Sequence, residues 1–182
     1  VHMEVIRAAP TIKNYLGTNF KRDFGDRLGI PVYADNDVNC ALLGEQWLGG
    51  AKGLDEVFCM ALGTGIGGAY YLNSLPFGSN FGVGEIGQSV YDFDRKIKSE
   101  MYEGLSVIEF FDLCKREDTS ALKVLDEWLF ELARGIVNLL CILDPKYIVI
   151  GGAVSAQGDY LLNKLEAKVR ELHPIEINKT KF

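Results

Sequence analysis

Between Thr119 and Leu143, the residues Leu122, Leu125, Leu129, Leu132, Ile136, Leu139 and Leu143 follow one another at alternating steps of three and four. That spacing lines one face of a long α-helix. Thr119 or Ser120 can cap its start, and Pro145 stops it. An apolar stripe of this length must be buried against another layer, and two short apolar runs offer one. Glu56-Val57-Phe58-Cys59-Met60-Ala61-Leu62 reads as a strand apolar on both faces, hence central, and Tyr147-Ile148-Val149-Ile150 reads as a second buried strand. The latter runs through Gly151-Gly152-Ala153 into a helix from Tyr160 to Leu172. Strand, glycine turn and helix in this order predict an α/β layer.

The remaining elements are shorter. Apolar residues at Ile12, Tyr15, Leu16, Phe20, Phe24 and Leu28 predict at least one short helix before Gly29, and Ile30-Pro31-Val32-Tyr33-Ala34 reads as a strand. Asp37 then stands at or near the N-cap of a helix closed by Gly49-Gly50. The glycine run from Gly63 to Gly68 leads into strand-like Ala69-Tyr70-Tyr71-Leu72, so it reads as a strand-to-strand turn. Phe77 to Gly87 reads as a loop, and Gln88 to Glu103 has little periodicity.

Composition narrows the function classes. The 182 residues are 48% hydrophobic and 24% charged, enough to bury one sizeable core, so a single domain is expected. Asp and Glu total 25 against 19 Lys and Arg, a net charge of -6 that argues against a nucleic-acid or anionic-membrane surface. The basic clusters Arg95-Lys98 and Lys179-Lys181 read as solvated loop or edge charges. No apolar run reaches the length of a membrane span, and Val1-His2-Met3 begins no signal-peptide pattern. Cys40, Cys59, Cys114 and Cys141 form no CxxC pair and sit among apolar residues, which predicts reduced, buried thiols in a cytosolic protein.

Several motifs can carry chemistry. Asp35, Asp37 and Asn39 alternate like calcium ligands, but Cys40 stands where an EF-hand loop needs glycine and Gln46 where it needs a bidentate Glu. Asp37 is therefore read either as a helix cap or as a general base at the carboxyl end of a strand. Gly63, Gly65 and Gly68 satisfy GxGxxG, yet the extended segment that follows excludes a dinucleotide site, which needs a helix there. What remains is a glycine-rich backbone that an anion can approach closely, with Thr64 adding a hydroxyl. Glu85, in Gly84-Glu85-Ile86-Gly87, joins Asn36 and Asp37 as acceptors suited to sugar hydroxyls. Gly151-Gly152 offers another close-approach position.

The order Asp35-Asn36-Asp37-Val38-Asn39-Cys40-Ala41, Leu62-Gly63-Thr64-Gly65-Ile66-Gly67-Gly68, Gly84-Glu85-Ile86-Gly87 and Ile148-Val149-Ile150-Gly151-Gly152 closely resembles the ROK family of sugar kinases and sugar-responsive repressors. The resemblance spans roughly Ile30 to Ala153. It implies a ribonuclease H-like, actin-type ATPase fold that binds ATP and sugar between two lobes. By that likeness Asp37 is the catalytic base, and Asn36, Glu85 and Gln88 hold sugar hydroxyls. Gly63-Thr64-Gly65 is a phosphate loop, Gly151 and Gly152 lie near the nucleotide, and magnesium accompanies the ATP.

The departures are informative too. No Asp-x-Gly-Gly-Thr phosphate motif occurs, and no closing glycine-rich helix precedes Phe182, so residues 1–182 are expected to be the larger lobe of a longer chain. Gln88 stands where most members have His, and residues 89–105 hold no cysteine. The chain thus resembles the zinc-lacking branch, which includes β-glucoside kinases, and no structural zinc is expected. The activity implied is ATP-dependent phosphorylation of a primary hydroxyl of a hexose or β-glucoside in the cytoplasm, with small-molecule partners only and a possible homodimer. The alternative is the sugar-binding part of a repressor.

Overall fold

The computed structural model describes residues 4–5, 13–63, 65–73, 75–76, 84, 86, 104–173 and 180–182. They group into two compact units, Val1–Asp37 and Val38–Phe182.

In the first unit an isolated antiparallel bridge joins Glu4 to Asn19. The Asn19 N–H donates to the Asp23 carboxylate at 2.9 Å, starting a helical stretch in which Phe20 and Phe24 stack. The stretch runs from a π-helical turn, Lys21–Gly25, into α1 (Asp26–Leu28) and ends on Gly29, whose φ of +66° is left-handed. The short helix before Gly29 is thus present. The strand expected at Ile30–Ala34 is not: those residues are irregular, and Ile30 donates its N–H back to the Gly25 carbonyl at 3.3 Å. Val32 and Tyr33 favour the extended form, but a strand needs a ladder partner, and none pairs with this segment among the described residues.

The second unit is a four-stranded sheet with helices on both faces. Helix α2 (Asp37–Leu48) ends where the Gly49 N–H meets the Glu45 carbonyl and the Gly50 N–H donates to Glu45 Oε2 at 2.8 Å. Strands β1 (Glu56–Leu62) and β2 (Ile66–Leu72) form an antiparallel hairpin. β3 (Leu75–Pro76) extends it, and β4 (Tyr147–Gly151) pairs with β1 in parallel, for an order β3-β2-β1-β4. β1 is central, as its two apolar faces predict. Gly67 and Gly68, expected in the turn, lie inside β2, so the turn is only Gly63 to Gly65.

Period-two alternation splits the core into two layers. Val57, Cys59, Ala69 and Tyr71 point to α2 and meet its Val38 and Leu42, with Ala51 just beyond the helix. Phe58, Met60, Leu62, Tyr70 and Ile148 point to the other face and meet α3 (Val107–Lys115), α4 (Thr119–Leu143) and α5 (Asp159–Leu172). α4 buries Leu125, Trp128, Leu129, Leu132, Ile136 and Leu139, so its leucine stripe is the inner layer. Its span matches the periodicity, but its N-cap is Asp118, which accepts the Ala121 N–H at 2.8 Å, instead of Thr119 or Ser120. β4 is less buried than its apolar run suggests, because only Ile148 is fully covered. Along its outer side Lys181 forms a parallel bridge with Tyr147 and accepts the Ile148 N–H at 2.8 Å. The neighbouring Thr180 is buried, its hydroxyl donating to the Pro145 carbonyl at 2.7 Å. Lys181 is exposed, in keeping with an edge charge; Lys179 and Arg95-Lys98 lie outside the described residues.

Candidate functional site

Because β1 and β4 are parallel, their carboxyl ends lie at the same edge of the sheet, where open α/β folds bind ligands. Two glycine turns leave from that edge. The first, Gly63 to Gly65, is closed by the Gly63 N–H donating to the Gly65 carbonyl at 3.0 Å. The second begins at Gly152, whose φ is +85° and whose Cα has no room for a side chain. A Cβ there would collide with the Leu62 carbonyl oxygen and lie 2.8 Å from its carbon. Gly152 thus clamps the end of β4 to the last residue of β1, the residue before Gly63. At Gly151, by contrast, a Cβ would meet, among the described residues, only Cys59 Sγ at 3.9 Å.

Gly63 and Gly65 are exposed, and among the described residues nothing lies within 4 Å of a Cβ built on either. Neither has a left-handed φ. Neither the backbone conformation nor packing against the described residues demands glycine at these positions. What glycine leaves there is uncovered backbone, which a phosphate can approach closely.

Helix α2 reaches the same edge through its first turn, where Val38 packs on Gly67 of β2, the partner of Ala61 in the ladder. Asp37, the residue before Val38, is the first residue of α2 and exposed, in agreement with its expected place at the helix start; Asn36 is half-buried. On the opposite face of β2 the backbone of Gly84 rests on Gly68, which brings the beginning of Gly84-Glu85-Ile86-Gly87 to the strand. The structure therefore gathers Gly63, Gly65, Gly151, Gly152 and Val38 of α2 at one edge. Thr64, Glu85 and Gln88 lie outside the described residues, as do most of the segments expected as loop between Phe77 and Glu103.

The thiols divide into two kinds. Cys40 and Cys141 are exposed, against the expectation that all four are buried, because each falls on the outward face of an otherwise apolar helix. Cys59 and Cys114 are buried. Burial, reinforced by the Glu45 carboxylate, pushes the Cys59 thiol up to about 11, and burial with Asp118 does the same to Cys114, so neither is a nucleophile near neutrality. Among the described residues no cluster of three His, Cys, Asp or Glu side chains is placed to hold a metal ion, and no helix is long and apolar enough to cross a membrane.

Comparison with known proteins identifies the frame. A sequence relative is the β-glucoside kinase of Listeria monocytogenes, 27% identical over 181 residues that cover 86% of this chain and 62% of that protein. The xylose repressor of Bacillus subtilis is 24% identical over 86% of this chain and 46% of its own length. Among solved structures, a ROK family glucokinase from Streptomyces griseus in complex with glucose and AMPPNP superposes with a TM-score of 0.79 at 20% identity, over 96% of this chain and 68% of that one. The fold is thus the actin-like ATPase fold expected from the motifs. The chain spans about 62% of the length of the curated kinases it matches. The family model described as ROK family covers residues 2–99 and 92–179, and with nearly the whole sequence so matched, the chain belongs to the ROK family.

Proposed function

We propose that the full-length protein transfers the γ-phosphoryl group of ATP to a primary hydroxyl of a hexose or β-glucoside. The observation that carries this reading is that Gly63 and Gly65 are exposed where β1 and β4 end, with no described residue within 4 Å of a Cβ built on either. On this reading Gly63, Thr64 and Gly65 offer backbone and hydroxyl donors to the phosphates, with Gly151 and Gly152 beside the nucleotide. ATP supplies the transferable phosphoryl group, and magnesium neutralises charge on its oxygens. Asp37 accepts the proton of the sugar hydroxyl, while Asn36, Glu85 and Gln88 hold the other hydroxyls. Positioning supplies most of the rate.

Residues 1–182 are then the larger lobe of a two-lobe cytoplasmic enzyme that can pair as a homodimer. Gln88 and the cysteine-free stretch 89–105 support a lobe without structural zinc. A coupled ATP-consumption assay of the full-length protein against a panel of hexoses and β-glucosides tests the activity; sugar-dependent turnover is expected. The second reading, a sugar-sensing repressor domain, is favoured by the match to the xylose repressor. Sugar binding without turnover, together with sugar-dependent release of operator DNA, would establish it instead.

A further inference from the structure

Gly67 and Gly68 are neighbours on β2, so their Cα–H bonds point to opposite faces of the sheet, and each is pressed by a different part of the proposed site. A Cβ on Gly67 would stand 2.7 Å from Val38 Cγ2, in the first turn of α2. A Cβ on Gly68 would stand 2.5 Å from Phe58 Cζ and 3.0 Å from the Gly84 carbonyl oxygen. Gly84 has φ +89°, and a Cβ on it would in turn overlap the Gly68 carbonyl. Among the described residues nothing presses Gly63 or Gly65 in this way. The glycine run thus has two halves: an open pair that leaves room for a ligand, and a filled pair that leaves room for protein.

We infer that Gly67 and Gly68 are positioning residues for sugar phosphorylation, Gly67 setting how closely Val38 in the first turn of α2 seats on the sheet and Gly68 setting how closely the backbone of Gly84 does; Val38 and Gly84 are the residues next to Asp37 and Glu85 in the sequence. This rests on the sugar-kinase reading above. The physical reason is that an interior glycine in a strand lets another backbone or helix come closer than any side chain permits. Adding one carbon at Gly67 pushes Val38 and the first turn of α2 outward, and adding one at Gly68 displaces Gly84, the residue before Glu85 in the sequence. Near-attack geometry tolerates little such displacement.

The two glycines make separable demands. In the full-length protein, Gly67→Ala is expected to lower kcat at least tenfold with the sugar KM within threefold of the parent. Gly68→Ala is expected to raise the sugar KM at least tenfold. Val38→Ala added to Gly67→Ala vacates the colliding methyl and returns kcat to within threefold of the parent. Phe58→Leu added to Gly68→Ala relieves the ring contact and restores thermal stability, but leaves KM high because the Gly84 carbonyl is still in the way. These doubles carry the comparison if either single variant fails to fold. Kinetic constants within threefold of the parent in both alanine variants would overturn the inference, as would a Gly68→Ala defect that Phe58→Leu repairs in KM and stability alike. A parent protein that phosphorylates no sugar would bring down the sugar-kinase reading itself, whereas an active parent with indifferent glycine variants removes only the positioning role.

Discussion

At the scale of single residues, the proposed chemistry rests most heavily on Asp37. Replacing it with Asn keeps the shape and the hydrogen-bonding capacity of the first residue of α2 while removing the proton acceptor. Asp37→Asn is therefore expected to retain sugar binding and to lose about 10²- to 10⁴-fold in kcat. Turnover at saturating ATP within threefold of the parent would show that another group takes the proton. The buried thiols give a residue-level test of the core that is independent of activity. Both Cys59 and Cys114 titrate near 11 when folded and near 8.5 when unfolded. A raised folded pKa stabilises the fold fully below the unfolded value, and the benefit is lost as pH rises toward the folded one. The urea midpoint is accordingly expected to fall between about pH 8.5 and pH 11, and to fall less in Cys59→Ala. A thiol reagent at pH 8 should label Cys40 and Cys141 quickly, and Cys59 and Cys114 only on unfolding.

Elements differ in how plainly the sequence declares them. α4 matches its expected span because seven apolar residues at helical spacing leave no other conformation that buries them together. β1 was equally legible, since a run apolar on both faces bounded by acidic residues and glycine suits only a central strand. α3 was not read from the sequence, although Val107, Phe110, Phe111 and Cys114 recur at helical steps after Ser106, with Glu109 three residues beyond that serine. The signal was a reciprocal capping box: Ser106 Oγ accepts the Glu109 N–H at 3.3 Å, and Glu109 Oε2 accepts the Ser106 N–H at 2.7 Å. The strand expected at Ile30–Ala34 failed for the opposite reason, because propensity cannot supply a ladder partner. At the site, the motifs located the glycine turns and the start of α2. Composition alone could not divide the glycine run, because open and filled glycines look identical until Val38, Phe58 and Gly84 are placed around them. The inner-layer role of α4 has a direct consequence. Leu132→Ala, at a fully buried position, is expected to cost about 2–5 kcal/mol in urea unfolding, while removing the Asp118 cap with Asp118→Ala costs about 0.5–2 kcal/mol.

For the whole molecule, both buried clusters are built entirely from residues of the second unit, from Val38 onward. Residues 38–182 contain the sheet, the buried apolar residues on both of its faces and the helices that cover them, so this stretch should keep a cooperative unfolding transition. The two tryptophans report it from different environments, Trp128 being 1% exposed and Trp47 74%. A shift of Trp128 emission in a single sigmoidal step is the expected result; a gradual change would show that the clusters do not cohere. Folding and catalysis then part company. Phosphoryl transfer needs donor and acceptor held in line in a cleft that excludes water, and binding groups from both walls contribute to that alignment. The 182-residue chain spans about 62% of the length of the kinases it matches, and the proposed activity belongs to the full length. The isolated chain is therefore expected to fold, to bind sugar weakly through Asn36, Asp37 and Glu85, and to show no sugar-dependent ATP consumption. The full-length protein, assayed in parallel with the same hexoses and β-glucosides, should turn over. Comparable turnover by the two would mean that one lobe suffices to align the reactants, and the two-lobe mechanism would have to be abandoned.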